Sequence, residues 1–143
     1  MENNDCGIYH AVFQLKKDRV IKVGAQGAML FPAAFYVYTG TAQKNLSARV
    51  RRHAAREKKV RWHIDYLTVD PHVKFIAAYY KPFAKAGREC VMNLGIVINA
   101  AFYLPKFGTS DCVGCPSHLA AFEKLESAEF LFKGLLKVPV EGV

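Results

Sequence analysis

The run Phe35-Tyr36-Val37-Tyr38-Thr39, closed by Gly40, narrows the possible folds more than any other stretch of the chain. Aromatic and β-branched residues side by side suit a pleated, buried surface and lose rotamer freedom in a helix, so this segment is a strand. Gly40 is expected to end it. Weaker versions of the same signal lie on either side. Ile8 to Leu15 alternates β-branched and aromatic residues with smaller or polar ones, Lys16-Lys17-Asp18 makes a turn, and Arg19 to Val23 returns as a second strand. Gly24 to Gly27 reads as loop, and His72 to Tyr80 as a later strand stopped by Lys81-Pro82.

Helical spacing takes over between and after these strands. Asn45 is a plausible N-cap for a helix from Leu46 to about Lys58. Trp62 to Leu67 reads as a short helical or turn segment, Lys85 to Ile98 as a buried helix, and Pro105 to Pro116 as loop. Leu119 to Lys137 is expected to give a short strand and then a helix. Strands come early, helices late, and strict βαβ alternation is missing. The prediction is an α+β fold with a small, largely antiparallel sheet flanked by helices. At 143 residues, with no internal repeat or linker, the chain reads as one domain spanning residues 1–143.

Composition then excludes several classes. Hydrophobic residues make up 52% of the chain, which rules out disorder. The longest uncharged stretch, Cys90 to Pro105, falls short of the roughly 20 apolar residues a membrane span needs, and reads as buried core. The polar start MENNDCGIYH lacks the features of a signal peptide. A chain this long has no need of a disulfide framework, so a reducing, cytoplasmic setting with no membrane partner is expected.

The charge is unevenly placed. Lys44, Arg49, Arg51, Arg52, Arg56, Lys58, Lys59 and Arg61 stand against Glu57 alone, a local +7 in a chain whose net charge is +8. On a helix, Leu46, Val50 and Val60 would form the apolar stripe, with Arg49, Arg52 and Arg56 on the adjoining one and His53 at the border. Like charges at i,i+4 repel one another, and a polyanion would relieve that repulsion. Arg52, Arg56, Lys58, Lys59 and Arg61 are therefore the candidate nucleic-acid contacts.

Gly7-Ile8-Tyr9 opens the first strand and Tyr38-Thr39-Gly40 closes the strongest one, with Leu46, Arg49 and His53 following on the basic helix. This order resembles the GIY-YIG endonuclease superfamily. Phe31-Pro32, Trp62-His63-Ile64-Asp65-Tyr66, Glu89-Cys90, and Ser110-Asp111-Cys112 through Ser117-His118 look closer to a branch of small GIY-YIG-like proteins, some of them fused to endonuclease III. The likeness runs from about Gly7 to Phe122. Thr39 stands where the superfamily name has Ile, and neither Asn93 nor Asn99 falls at a convincing spacing for the late Asn that often closes the site.

The resemblance implies a metal-dependent nuclease that hydrolyses phosphodiester bonds in DNA, with a possible part in DNA repair. The same fold without cleavage, a nucleic-acid-binding module, is the alternative. Tyr9 would help activate water, and would need a cationic or metal neighbour to act as a base near neutral pH. Tyr38 would position the phosphate or Tyr9, Arg49 would stabilise charge on the phosphate, and Glu89 would hold Mg²⁺ or Mn²⁺. One carboxylate suffices, because Mg²⁺ keeps several waters and takes phosphate oxygens as ligands.

Each of these residues also has an ordinary reading. Tyr9 and Tyr38 could pack against cross-strand neighbours, and Glu89 could be a first-turn helix acid. His53 and His63 could be proton donors, phosphate contacts or packing residues. Asp65 is expected to be structural. Trp62 could stack on a base but reads more readily as core. Cys112, Cys115 and His118 could hold a structural Zn²⁺, with Cys90 or Cys6 as fourth ligand, or form a redox pair. Zinc fingers use pairs separated by longer spans, which favours plain structural thiols near the Gly114–Pro116 loop.

Overall fold

The computed structural model describes residues 4–107 and 115–140. Its elements run β1 (Gly7–Leu15), β2 (Arg19–Lys22), β3 (Ala28–Phe31), β4 (Ala34–Ala42), α1 (Leu46–Ala54), α2 (His63–Thr68), β5 (Val73–Pro82), α3 (Glu89–Val97), β6 (Phe102–Tyr103), β7 (Leu119–Phe122), α4 (Leu125–Glu129) and β8 (Leu136–Lys137). Six strands form one antiparallel sheet in the order β6-β7-β4-β1-β5-β8, while β2 and β3 pair only with each other. The fold is α+β, as the order of strand and helix signals implies.

The central strand explains the layering. Every residue of β1 except Gln14 is buried, so both of its faces are covered. Tyr9, Ala11, Phe13 and Leu15 pack into one cluster with Leu46 and Val50 of α1 and Ile64 and Leu67 of α2. Val12 belongs to a second cluster with Val37, Ile96 of α3, Ala128 of α4 and Phe132. A strand buried on both sides has no polar face to show, which is why β1 reads as large-and-small rather than apolar-and-polar.

Several boundaries depart from the sequence reading. Gly40 does not end β4, which continues to Ala42, and β5 runs through Lys81 to Pro82. Ladder pairing to β1 holds both extensions, with Ile8 opposite Thr41 and Lys81. The strand β3 falls in a segment given no element in the sequence reading, and β2 pairs with it and not with β1. Helix α1 stops at Ala54, short of the expected Lys58. The Lys58 ammonium turns back to donate to the carbonyls of Arg52 (2.8 Å) and His53 (2.9 Å), and Ala55 goes extended. Val60 therefore lies beyond the helix, 37% exposed, and takes no part in its apolar stripe.

Asn45 precedes α1 but does not cap it with its side chain; it sits in the left-handed region at φ 54° and turns the chain into the helix. Asp5 supplies the cap instead, its carboxylate accepting from the Ser47 amide and the Ser47 hydroxyl, each at 2.7 Å. The stretch from Cys90 is not uniformly buried either. Val91 is 62% and Ile98 78% exposed, whereas Asn93 is fully buried. Among the described residues no helix is long and apolar enough to cross a membrane.

Candidate functional site

The two short motifs meet across the central ladder, where Tyr9 of β1 lies directly opposite Gly40 of β4. A Cβ on residue 40 would sit 2.5 Å from the Tyr9 hydroxyl oxygen, so glycine is what lets the phenol lie flat across the strand. Gly7 is fixed for a related reason: its φ is +134°, and a Cβ there would stand 2.0 Å from the Lys81 carbonyl oxygen.

From this crossing point Tyr9 extends to α1. Its hydroxyl lies 2.8 Å from Nε2 of His53. The His53 ring is the hub of an aromatic group, 5.6 Å from the Tyr9 ring, 5.6 Å from Tyr38 and 5.9 Å from Trp62. Its Nδ1 is buried without a hydrogen-bond partner. Burial, with Lys58 next in weight and Arg52 and Arg49 also acting, pushes the His53 pKa down to about 3 despite the opposing Asp65 carboxylate. His53 is a neutral imidazole at physiological pH.

Arg49 and Glu89 complete the group. Arg49 Nη1 donates to the Thr41 carbonyl at 2.5 Å, its charge acts on the Tyr9 hydroxyl, and its guanidinium stands 5.3 Å from the Trp62 ring centroid. Glu89, the first residue of α3, accepts from the Thr41 hydroxyl through Oε1, and its Oε2 lies 3.2 Å from His118 Nδ1. The Glu89 side chain keeps 23% of its surface open. Its partner Thr41 and Arg49 line a cleft with Gln43, Lys44 and Ala86. Four elements, β1, β4, α1 and α3, thus bring Tyr9, Tyr38, Arg49 and Glu89 to one end of the sheet.

The electrostatics of the two tyrosines follow from this crowding. Burial, then the neighbouring Tyr38, drive the Tyr9 pKa well above its ordinary value; Arg49 pulls it down but loses. Burial, then Glu89 and Asp65, push Tyr38 up to about 12 against the same arginine. Tyr9 has the cationic neighbour that base chemistry would require, yet it rests as a protonated phenol.

The basic segment is divided between structure and surface. Arg52 forks onto Asp65 with Nη1–Oδ1 2.9 Å and Nη2–Oδ2 2.8 Å, and also reaches the Lys59 carbonyl at 2.8 Å. Asp65, fully buried, accepts in addition from the backbone amides of Arg61 (2.8 Å) and Trp62 (3.0 Å), and so stabilises the start of α2. Arg56 donates to the Pro71 carbonyl at 3.1 Å, and Lys58 closes α1. Lys59, Arg61 and Arg51 are exposed. The expected structural role of Asp65 holds.

Trp62 is not core. Its ring is 38% exposed, with the Arg52 guanidinium 4.4 Å from its centroid and Arg49 on the same ring. His63 opens α2 with its ring 5.7 Å from Phe107 and shares no such contact with the Tyr9 group. Thr41, which sequence reasoning left out, bridges Arg49 and Glu89, and His118, expected only as a possible zinc ligand, supports Glu89. Thr41 lies two residues past Thr39 on one face of β4, a position that only the longer strand makes visible.

Cys115 and His118 come together with Cys90, their candidate ligand atoms all within 4.8 Å of one another, close enough to hold a metal ion. Cys112 lies outside the described residues. Cys90 is disulfide-bonded in the structure, while Cys115 is a free, buried thiol.

A profile for a family described as Domain of unknown function DUF123 matches residues 8–138. No curated protein and no solved structure matches the chain.

Proposed function

The chain belongs to the DUF123 family, and from that premise we propose that it is a metal-dependent nuclease of the GIY-YIG type, hydrolysing phosphodiester bonds in DNA. The observation that carries this reading is the convergence of Tyr9, Tyr38, Arg49 and Glu89, with Arg49 on the wall of an open cleft. The resemblance to a branch with members fused to endonuclease III favours a place in DNA repair.

The donor set at Glu89 fits a hard divalent cation. It offers a partly exposed carboxylate whose lone pairs are not exhausted by Thr41 and His118. Mg²⁺ or Mn²⁺ held there would supply positive charge to the scissile phosphate and its leaving oxygen. Arg49, already fixed by the Thr41 carbonyl, forks onto the phosphate and neutralises charge as it builds. Tyr9, a protonated phenol held by His53 Nε2 at 2.8 Å and set beside the Arg49 charge, orients the attacking water, whose proton leaves to solvent or to a phosphate oxygen. Tyr38, braced on the His53 ring, holds the phosphate in line.

One observation favours the non-cleaving alternative: Tyr9 is only 2% exposed and its proton is firmly held. The experiment that separates the two is a screen of labelled DNA and RNA shapes, single-stranded and branched, with Mg²⁺, Mn²⁺ or chelator. Metal-dependent product is expected. Tight binding with no product on any shape and either metal leaves the module and removes the enzyme.

The exposed indole makes a separate prediction. Trp62→Ala is expected to weaken binding of single-stranded oligonucleotides by about 1–3 kcal/mol, the usual worth of one base stacked on an aromatic ring. Fluorescence anisotropy at fixed salt measures it, and an unchanged Kd would mean that Trp62 serves only as a rest for the two guanidinium groups.

A further inference from the structure

A second group of ligating side chains adjoins the carboxylate of Glu89 through His118, and the nuclease reading makes no use of it. His118 is 2% exposed. One ring nitrogen, Nδ1, is committed to Glu89 Oε2 at 3.2 Å and to the Thr39 carbonyl at 3.3 Å. The other, Nε2, is buried with no hydrogen-bond partner among the described residues. A buried ring nitrogen left unsatisfied is costly unless something binds it. Two sulfur atoms lie within reach: Cys115 Sγ, in a buried free thiol, and Cys90 Sγ, all three residues' ligand atoms falling within 4.8 Å.

The arrangement has the form found around metal-bound histidines, in which one nitrogen takes the metal and the other donates to a carboxylate or carbonyl that fixes the tautomer. Cys90 is disulfide-bonded in the structure, which withholds one of the three ligands. We propose that Cys90, Cys115 and His118 form a redox-gated site for one thiophilic divalent cation, Zn²⁺ in the first instance. The site opens when the Cys90 disulfide is reduced. Two electrons from a thiol or phosphine reductant cleave the S–S bond and give two thiols. Cation binding then releases the protons of Cys90 and Cys115, and the His118 Nδ1–H remains on Glu89.

Soft sulfur ligands with one imidazole select Zn²⁺ over Mg²⁺, so this site and the oxygen-rich one at Glu89 call for different ions. Three protein ligands leave a fourth position for water or another donor. Because Glu89 accepts from His118, the cation also bears on the orientation of the Glu89 carboxylate.

The test uses the full chain, reduced with a phosphine and titrated with Zn²⁺ and with Co²⁺ as a coloured reporter. One equivalent is expected to bind, with thiolate-to-cobalt charge-transfer absorption, and the untreated disulfide form should bind far less. Cys115→Ser and His118→Gln should each weaken binding by at least about 10–100-fold, and Glu89→Gln, which removes only the outer partner, by about that factor. Circular dichroism checks that each variant is folded; should Cys115→Ser unfold, Cys115→His, which keeps a ligand, replaces it and should still bind. A reduced, folded chain that takes up no stoichiometric Zn²⁺, or variants that bind as the parent does, would overturn the proposal.

Discussion

Arg49→Ala should lower the rate of metal-dependent phosphodiester cleavage by about 10²–10³-fold, the loss expected when one preorganised charge stabiliser is removed from a reacting oxyanion. The side chain is anchored by the Thr41 carbonyl at 2.5 Å, with its charge acting on Tyr9 and Trp62 beside it. It acts on the phosphate, and its charge lies beside the Tyr9 hydroxyl that orients the water. Arg49→Lys keeps the charge but cannot hold the carbonyl and fork onto a phosphate at once, so most of the loss should remain. Single-turnover rates and Kd for the same oligonucleotide separate the effects. Because Lys59, Arg61 and Arg51 stay exposed, binding should change much less than rate. A fall confined to Kd, with the single-turnover rate intact, would make Arg49 a contact and not a catalytic residue.

Asp65→Ala should destabilise the fold by about 3–5 kcal/mol, the range for removing one partner of a buried ion pair. The carboxylate is fully buried and accepts from the Arg52 guanidinium and from two backbone amides at the start of α2. Its loss leaves Arg52 without its counterion and the Arg61 and Trp62 amides without their acceptor. Urea denaturation at neutral pH measures the change; a loss below about 1 kcal/mol would mean the pair behaves as an exposed one. The sign with pH is fixed by the direction of the shift. Burial raises the Asp65 pKa, but Arg52 and the amides outweigh it and hold the group below its ordinary value. Its contribution is therefore complete above the unfolded-state pKa of about 3.9 and fades as pH falls through the lower folded value. The gap between parent and variant should close in strong acid.

Much of this was legible because it is local. The strand Phe35–Thr39, the turn at 16–18 and the helix beginning at Leu46 follow from rotamer freedom, turn chemistry and periodicity within a few residues. Arg49 and His53, four apart, had to share a helix face wherever that helix was placed. The ends of elements were less legible. Gly40 reads as a stop because its own propensity for strand is low, yet pairing with Tyr9 on one side of the ladder carries β4 past it. Lys58 reads as one more helical charge, yet closing the helix on the Arg52 and His53 carbonyls suits its ammonium better than adding to a row of like charges.

The resemblance of short motifs named Tyr9, Tyr38, Arg49 and Glu89 as a set, but nothing in their order could say that Thr41 would hold two of them or that Gly40 makes room for a third. Trp62 was misread for a similar reason. A lone indole normally finds the core, and only the placement of α2 against α1 left this one at the surface beside two guanidinium groups. By itself the sequence determined the α+β class, the basic segment and the chemical types available for a site, since these depend on residues near one another along the chain. The tertiary structure alone decided which arginines are tied up, which tyrosine proton is held, and that Cys90, Cys115 and His118 share one pocket of space. Burial and through-space charge depend on contacts between distant segments, and those exist only once the sheet has closed.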